Sequence, residues 1–519
     1  MGFENPDRRT SLSDLKIPFL LALLQLLILV VFHERYDYFR DELYYIACSN
    51  HLAWGYVDQP PLSIGILWVT RSILGDSLHA LRFLPALVLS VVVVLSALMA
   101  RKLGGGKFAQ GLAALSVVAA HGILGHGKSF SMNPFDVLFW ALAGYVVIVI
   151  LRDERPKLWL FYGLVVGLGL MNKYSIGFGI IGIVVGLVLT RHRKVLADKW
   201  FWLGATIATL VFLPHILWEI FNGLPSLEFM RNASQIKNVH LSPVEFLVGQ
   251  LKDMNVMNAP LWIGGIYFFF RKDGGHFRPL GWMYIVVFIV MVLGSAKVYY
   301  LSAIYPMYLA AGAVLFEELV VRKSWGWLKP VYAGLITLVA VVILPFAAPV
   351  LPVEQFIRYE HSLGLEPRAD ERSAVAELPQ YYADQFGWRE MVDSIAGAYK
   401  KLSPDEQSQC FIYVRNYGEA AAIDFFGKAL GLPPARCAHN SYWMWGPGDR
   451  TGNIAIIIGG SRTLEDNLTD LRRRYSFVEP AGVTNAKYSM PYENGRMIFI
   501  CKGMNTTFQQ LWPRERFYI

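Results

Sequence analysis

Residues 17–32 read IPFLLALLQLLILVVF, an apolar run long enough to cross a bilayer as a helix. Just beyond it stands Arg40-Asp41-Glu42, and after that Tyr56-Val57-Asp58-Gln59-Pro60-Pro61-Leu62. An acidic pair so close to lipid is costly unless it works or is paired. The second acid sits in a stiff, proline-locked turn on the same side of the membrane. Two acidic motifs in one short stretch outside the bilayer point to chemistry at the membrane surface.

Composition agrees with a membrane setting. The 519 residues are 54% hydrophobic and 17% charged, with a mean hydropathy of +0.37, whereas soluble domains carry about 25% charged residues. Ten further apolar runs follow the first: Leu81–Ala100, Phe108–Ile123, Pro134–Leu151, Leu158–Leu170, Tyr174–Thr190, Phe201–Phe221, Val256–Phe270, Leu280–Leu293, Tyr299–Leu315 and Val331–Val350. They predict a polytopic α-helical protein of about eleven spans, some shorter than the usual ~20 residues. Leu62–Leu74 is apolar but short, carries Arg71 and follows two prolines, so it reads as a helix lying at the interface. The polar stretch Met1–Lys16 precedes the first run and no small-residue cleavage site follows it, as expected of an uncleaved anchor.

The net charge of +8 is not a nucleic-acid signal, because its cations lie in alternate short loops. Arg8 and Arg9, Arg101, Lys102 and Lys107, Arg152, Arg155 and Lys157, Arg191, Arg193, Lys194 and Lys199, Arg271, Lys272 and Arg278, and Arg322 and Lys323 share one side. The opposite turns hold single lysines, Lys128, Lys173 and Lys297. This asymmetry puts the N-terminus in the cytoplasm. With an odd number of spans, everything after Val350 lies outside. Asp41, Glu42, Asp58, Lys128, Asn133, Asp136, Lys173, Lys297 and the long loop 223–255 then share the outer face, as an outward-facing active site requires.

From about Leu351 the composition becomes water-soluble, dividing the chain into a membrane-embedded part, 1–350, and an extracytoplasmic part, 351–519. Helical periodicity over Gly387–Lys401, Glu419–Leu430 and Leu464–Arg474 alternates with strand-like Cys410–Val414, Ile454–Gly459 and Met497–Cys501, which predicts a small α/β domain. No phosphate-binding glycine motif is present. Cys48, Cys410, Cys437 and Cys501 show no metal-ligand spacing, and on this topology Cys410 and Cys437 are candidates for a disulfide.

Phe39-Arg40-Asp41-Glu42-Leu43-Tyr44-Tyr45, Asp58-Gln59-Pro60-Pro61-Leu62, and Lys297-Val298-Tyr299-Tyr300-Leu301-Ser302-Ala303-Ile304-Tyr305-Pro306, in that order on a multi-span frame, resemble the bacterial membrane glycosyltransferases of family 39. Relatives of that family include protein O-mannosyltransferases and the lipid A aminoarabinose transferase. The resemblance covers roughly residues 15–350, and the tail also looks like the soluble region of bacterial members. It implies a GT-C-type fold with the first outer loop folded into interfacial helices, a polyprenyl-phosphate-linked sugar as donor, and inverting transfer to an extracytoplasmic acceptor. It implies Asp41 as the catalytic acid of the Asp-Glu motif. Two positions depart from the pattern: Gln59 replaces a lysine, removing a cation from a phosphate-facing turn, and Tyr44 stands where some relatives carry arginine.

The chemistry asks for such residues. A carboxylate beside the acceptor hydroxyl takes its proton as the new bond forms, and Asp41 has Arg40 beside it to tune its charge. An ion pair of Arg40 with Asp41 or Glu42 is the plain structural alternative. Glu42 either orients a neighbour or caps the following helix. Asp58 either positions the acceptor or fixes the Pro60-Pro61 turn. The leaving group is a lipid phosphate, and cations stabilise its developing charge. Lys297, Lys173 and Lys128 are the candidates, against the commoner role of lysines snorkelling to the interface. Asn133 and Asp136 in Met132-Asn133-Pro134-Phe135-Asp136 read first as an N-cap, an N1 proline and a first-turn acid, with an active-site role for Asp136 as the second reading. His51, His121, His126 and His240 make no paired ligand motif, so nothing demands a metal or other cofactor, although the site class admits a divalent ion.

The expected partners are the lipid-linked donor, the bilayer, and a glycolipid, polysaccharide or protein acceptor; the expected location is a bacterial inner membrane. A multi-span lipid or solute transporter or flippase is the alternative, but it predicts internal repeats and mid-span charges. An assembly factor binding through its external domain explains the tail and leaves the membrane acids unused.

Overall fold

Each of the eleven apolar runs is helical in the computed structural model, which describes residues 12–367, 372 and 374–519. Among the described residues, six helices are long and apolar enough to cross a membrane: Leu78–Lys102, Met132–Asp153, Lys199–Phe221, Gly275–Leu293, Val298–Arg322 and Leu328–Ala347. Two further runs qualify only as bent pairs, Lys107–Val118 with His121–Lys128 and Ile176–Val188 with Arg191–Ala197. Lys16–Val31, Leu158–Asn172 and Val256–Phe270 are the shorter apolar helices among the runs. A break inside a span frees backbone groups that lipid cannot satisfy. At the 55° bend after Val118, buried Asn255 Nδ2 donates to the carbonyls of Ala119, at 3.3 Å, and Ile336, at 3.2 Å. Asn258 Nδ2 donates to Ser116 O at 2.8 Å.

Small residues let these helices touch backbone to backbone. A Cβ added at Gly312 would lie 1.8 Å from Leu261 O, and one at Gly265 would lie 2.0 Å from Tyr308 O. Helices Ala259–Phe270 and Tyr305–Arg322 cross there, with no room for a methyl group. Gly312→Val is expected to abolish a monodisperse, cooperatively melting protein in detergent, a loss of about 3 kcal/mol or more from overpacking and backbone displacement. Gly334→Ala, where the added carbon meets nothing within 4 Å, serves as the control and should melt like the parent.

The first outer loop is folded into helices Arg40–Ser49 and Leu62–Leu74. The second buries Ser63, Ile64, Leu67 and Thr70 and exposes Trp68, Val69, Ile73 and Leu74, the amphipathic pattern of an interfacial helix. Arg71 ties it back, donating to Asn50 Oδ1 at 2.8 Å and Ile46 O at 3.2 Å. Residues 223–255, read as one long loop, contain helices Pro225–Asn232 and Pro243–Asp253. Each opens on a proline at its first turn, and Ser242 with Glu245 forms a reciprocal capping box, a start signal the loop reading passed over.

Packing divides the chain into two compact units. One comprises the residues up to Arg35, Ile73–Trp218 and His240–Leu351. The other comprises Tyr36–Ser72, Glu219–Val239 and Pro352–Ile519, so the tail packs as one body with two segments from the N-terminal part of the chain.

The second unit holds a five-stranded sheet: β1 (Phe411–Tyr413), β2 (Ala435–Arg436), β3 (Ile454–Ile458), β4 (Tyr475–Val483) and β5 (Met497–Met504), in the order β2-β1-β3-β5-β4. β1 runs parallel to β2 and β3, and β5 runs antiparallel to β3 and β4. Phe411, Ala455, Ile457, Phe499 and Cys501 build its core with Phe508 and Trp512. The expected helices are present as Trp388–Tyr399, Tyr417–Phe426 and Leu464–Arg472. β4 escapes a sequence reading because it is an edge strand, largely exposed, and broken by Pro480 and Gly482 at a register shift. All four cysteines are buried and free among the described residues. In the β1–β2 register Ile412 pairs with Ala435, so Cys410 and Cys437 sit at opposite ends of the pair. About four residues of parallel strand, ~13 Å, separate them, beyond the ~7 Å Cα reach of a disulfide.

Candidate active site

In the second unit, helix Arg40–Ser49 presents its first turn to the tail helix Tyr417–Phe426. The N-cap Phe39 is extended and its N–H is accepted by Glu42 Oε2 at 2.9 Å. Glu42 is therefore buried in helix capping. Asp41, one position earlier, points away from that cap, and its side chain is 37% exposed. Tyr417 Oη donates to Asp41 Oδ1 at 2.9 Å, and Arg40 Nε lies 3.5 Å from the same oxygen. The structural alternative of an Arg40–Asp41 pair is thus present, but Arg40 is held mainly by others. Its Nη1 donates to Tyr492 Oη at 2.6 Å, its Nη2 lies 3.7 Å from Asp384 Oδ2, and its backbone N–H donates to Asp384 O at 2.9 Å. Burial acts to discharge the guanidinium, and Asp384, Tyr417, Tyr492 and Asp41 outweigh it, so Arg40 stays charged.

The turn that bears Asp58 is closed by two backbone bonds between Tyr56 and Gln59, at 3.0 and 3.4 Å. Tyr44 Oη donates to Asp58 Oδ1 at 2.9 Å and shares a 2.8 Å hydrogen bond with Ser441 Oγ, which accepts from Val57 N at 3.2 Å. Tyr44 and Tyr417 lie ring against ring, with centroids 4.5 Å apart, so the two tyrosines that hold Asp58 and Asp41 pack as a pair. Gln59 is buried, and its Nε2 has no partner among the described residues.

Burial pushes the Asp58 carboxyl up to about 6; the Tyr44 hydrogen bond opposes this and the nearby Asp41 charge adds to it. The folded state then holds the Asp58 proton more tightly than the unfolded chain does. This group's contribution to stability is complete below the ordinary carboxylate range and is lost as pH rises through about 6. Asp58→Asn, which cannot ionise, should melt close to the wild type at pH 4 and gain on it by pH 7 in a calorimetric pH series. A constant difference across that range would remove Asp58 as the titrating group.

Arg40, Tyr417 and Tyr492 line a cleft of ≈ 440 Å³ with Lys237, Arg372 and His439. Its walls combine three cations with aromatic rings, a lining suited to an anionic carbohydrate. Among the described residues no group of three or more His, Cys, Asp or Glu side chains is placed to hold a metal ion.

The lysines belong to the first unit, where three turns meet. Lys173 follows helix Leu158–Asn172 as its C-cap. Its Nζ donates to Asn133 Oδ1 at 2.8 Å, lies 3.4 Å from Asp136 Oδ2, and sits 4.7 Å above the ring of Tyr300 and 5.7 Å from that of Tyr299. Ser175 Oγ donates to Asp136 Oδ1 at 2.6 Å. Lys128 closes the turn His126–Lys128, and His126 Nε2 shares a 2.9 Å hydrogen bond with Ser302 Oγ. Lys297 leads into the turn Val298–Ile304 that carries Tyr299, Tyr300 and Ser302. The cap of helix Met132–Asp153 is Ser131, whose Oγ accepts from Asn133 N at 3.2 Å. Asn133 and Asp136 are therefore not a bare helix start: both engage Lys173.

The structure thus gathers Asp41, Tyr44 and Asp58 in one unit and Lys173, Asp136, Lys128 and Lys297 on meeting turns of the other. Glu42 and Gln59 are turned inward. Sequence inspection missed Tyr417, Ser441, Asp384 and Tyr492. The only signal for Tyr417 was an N-cap asparagine ahead of it, Asn416, whose Oδ1 accepts from Gly418 N and Glu419 N.

Comparison with known proteins bears on the fold and on the family resemblance. Residues 58–218 match the family model described as dolichyl-phosphate-mannose-protein mannosyltransferase; the match begins at Asp58, after Asp41 and Glu42. The chain is similar to lipid A galacturonosyltransferase RgtD of Rhizobium johnstonii, 24% identical over 188 residues, 36% of this chain and 39% of that protein. It is also similar to the lipopolysaccharide core galacturonosyltransferase RgtB of the same organism, 28% identical over 174 residues, 33% of this chain and 35% of that protein. The aligned regions thus span little more than a third of either relative's length. The structure superposes on ArnT from Cupriavidus metallidurans bound to undecaprenyl phosphate with a TM-score of 0.59, 13% identity, and coverage of 93% of this chain and 97% of that one. The Archaeoglobus fulgidus oligosaccharyltransferase gives a TM-score of 0.51 at 12% identity, covering 81% and 64%. At such identities the likeness is one of fold. The chain is a multi-pass membrane protein with the GT-C fold, and it resembles the membrane glycosyltransferases of family 39.

Proposed function

We propose that this protein moves a sugar from a polyprenyl-phosphate-linked donor to an acceptor on the extracytoplasmic side, with inversion at the anomeric carbon. The observation that carries this reading is the part-exposed Asp41 carboxylate, fixed on one oxygen, whose two partners line a cationic and aromatic cleft. The acceptor oxygen bonds to the anomeric carbon as its proton passes to Asp41. The bond from that carbon to the phosphate oxygen breaks, and the lipid phosphate leaves with the electron pair. Lys173, Lys297 and Lys128 stabilise its developing charge. Asp58, Tyr44, Gln59, Glu42 and Asp136 serve as positioning groups, directly or through the side chains they hold.

The cations of the cleft favour an acceptor that carries negative charge, and the two Rhizobium relatives are named for lipid A and lipopolysaccharide core. A glycolipid of that kind is the proposed acceptor. The proposed orientation keeps the N-terminus in the cytoplasm and residues 351–519 outside, in the inner membrane of a bacterium, following the loop charges.

The test is transfer in proteoliposomes. Purified protein is offered polyprenyl-phosphate-linked galacturonic acid, aminoarabinose or mannose, each radiolabelled, together with lipid A. Label from one donor should pass to lipid A, and the product's anomeric configuration, read by NMR, should be opposite to the donor's. No transfer from any of the three, or transfer with retention, contradicts the proposal.

A further inference from the structure

One tail side chain, Tyr417, bonds Asp41 directly. Among the described residues, both contacts of Asp41, the Tyr417 hydroxyl at 2.9 Å and Arg40 Nε at 3.5 Å, fall on Oδ1. Oδ2 is left for another partner. A carboxylate held by one oxygen offers the other in a fixed direction, which is how a general base is kept in reach of the proton it takes. Building on the transferase proposed above, we infer that Tyr417 is a positioning residue for Asp41, anchoring Oδ1 so that Oδ2 receives the acceptor proton.

A second, independent feature places Tyr417 there. The next residue, Gly418, packs flush against Arg40. A Cβ at this position would lie 2.6 Å from Arg40 Cγ, 3.0 Å from Arg40 Cδ and 3.0 Å from the Trp388 ring. Only glycine lets the start of the tail helix come close enough for the phenol to reach Asp41. The loop is also locked from behind. Asn416 Nδ2 donates to Glu493 Oε1 at 2.9 Å, Arg415 N donates to Glu419 Oε2 at 2.8 Å, and Arg415 Nη2 donates to Glu493 Oε2 at 2.8 Å. The Tyr417 ring is clamped between Tyr44, at 4.5 Å, and His439, at 4.8 Å. Removing the hydroxyl as Tyr417→Phe keeps the ring and this packing, and frees Asp41 to rotate.

In the proteoliposome assay, with whichever of the three labelled donors the wild type uses and lipid A as acceptor, Tyr417→Phe should lower kcat about 10- to 100-fold while both KM values stay within about twofold. Gly418→Ala, which keeps the tyrosine side chain but pushes its turn off Arg40 and the phenol away from Asp41, should reproduce the kcat loss. Combined with Asp41→Asn, Tyr417→Phe should add no further loss, because the group it positions is gone. A purely structural tyrosine would give losses that multiply. If the wild type and Tyr417→Phe turn over alike while Asp41→Asn is inactive, the positioning role is wrong and the transferase assignment stands. If the wild type moves no sugar, the assignment itself fails. Should Tyr417→Phe not give a monodisperse protein, Gly418→Ala decides: unchanged kcat in that variant overturns the inference.

Discussion

Asp41→Asn is expected to lower kcat about 10²- to 10⁴-fold, the range a general base contributes. The amide keeps the shape of the carboxylate, and its Oδ1 still accepts from Tyr417, but its nitrogen cannot take the acceptor proton. Binding should survive. The cleft cations Arg40, Lys237 and Arg372 are untouched. KM values should therefore stay within about threefold, the mark of an interaction made only in the transition state. Stability should change little, because Asp41 is 37% exposed and its pairing with Arg40 spans 3.5 Å; exposed pairs are worth about 1 kcal/mol or less. Retention of full turnover by this variant would move the chemistry elsewhere.

Lys173 carries the second large effect. Its side chain is 10% exposed and that of its partner Asp136 is 3% exposed. Truncation as Lys173→Ala leaves a buried carboxylate without its cation, and breaking such a pair costs about 3–5 kcal/mol. Lys173→Ala alone should thus unfold more readily as well as lose donor affinity, and the two losses would be confounded. The double variant Lys173→Met with Asp136→Leu separates them. Replacing both charges by apolar groups of similar volume should restore the melting temperature to within a few degrees. If Lys173 is a phosphate contact, titration with polyprenyl phosphate followed by tryptophan fluorescence should still show affinity reduced about tenfold or more. Wild-type affinity in the stable double variant would reduce Lys173 to a structural ion-pair partner. Asn133, Asp136 and the rings of Tyr299 and Tyr300 all surround its ammonium group, so a phosphate would have to share that cation with Asp136.

The membrane half was legible because its signal is local. A run such as Leu81–Ala100 has no other way to bury its backbone groups in lipid, and it becomes helix Leu78–Lys102. The interfacial helix Leu62–Leu74 could be read from its length, its arginine and the prolines before it. The acids of the first outer loop could be flagged because they break the rules of a membrane boundary. What holds them could not. Tyr417 meets Asp41 across 376 residues of chain, and Ser441 meets Tyr44 across 397. No spacing rule links such positions. Asp136 misled for a related reason: a helix start with Asn, Pro and Asp satisfies local capping rules, yet Ser131 does the capping and the acid faces a lysine in another turn. β4 was lost because an exposed edge strand with Pro480 inside it lacks the alternation that marks a strand.

The proposed chemistry needs the carboxylate at position 41 on the extracytoplasmic side, and thiol labelling tests that placement directly. The four native cysteines are buried, so a single new thiol in Asp41→Cys should dominate labelling by a membrane-impermeant maleimide. In intact spheroplasts rapid labelling from outside is expected, undiminished by quencher trapped within. A thiol that stays unlabelled until the membrane is opened to the cytoplasmic face would contradict it.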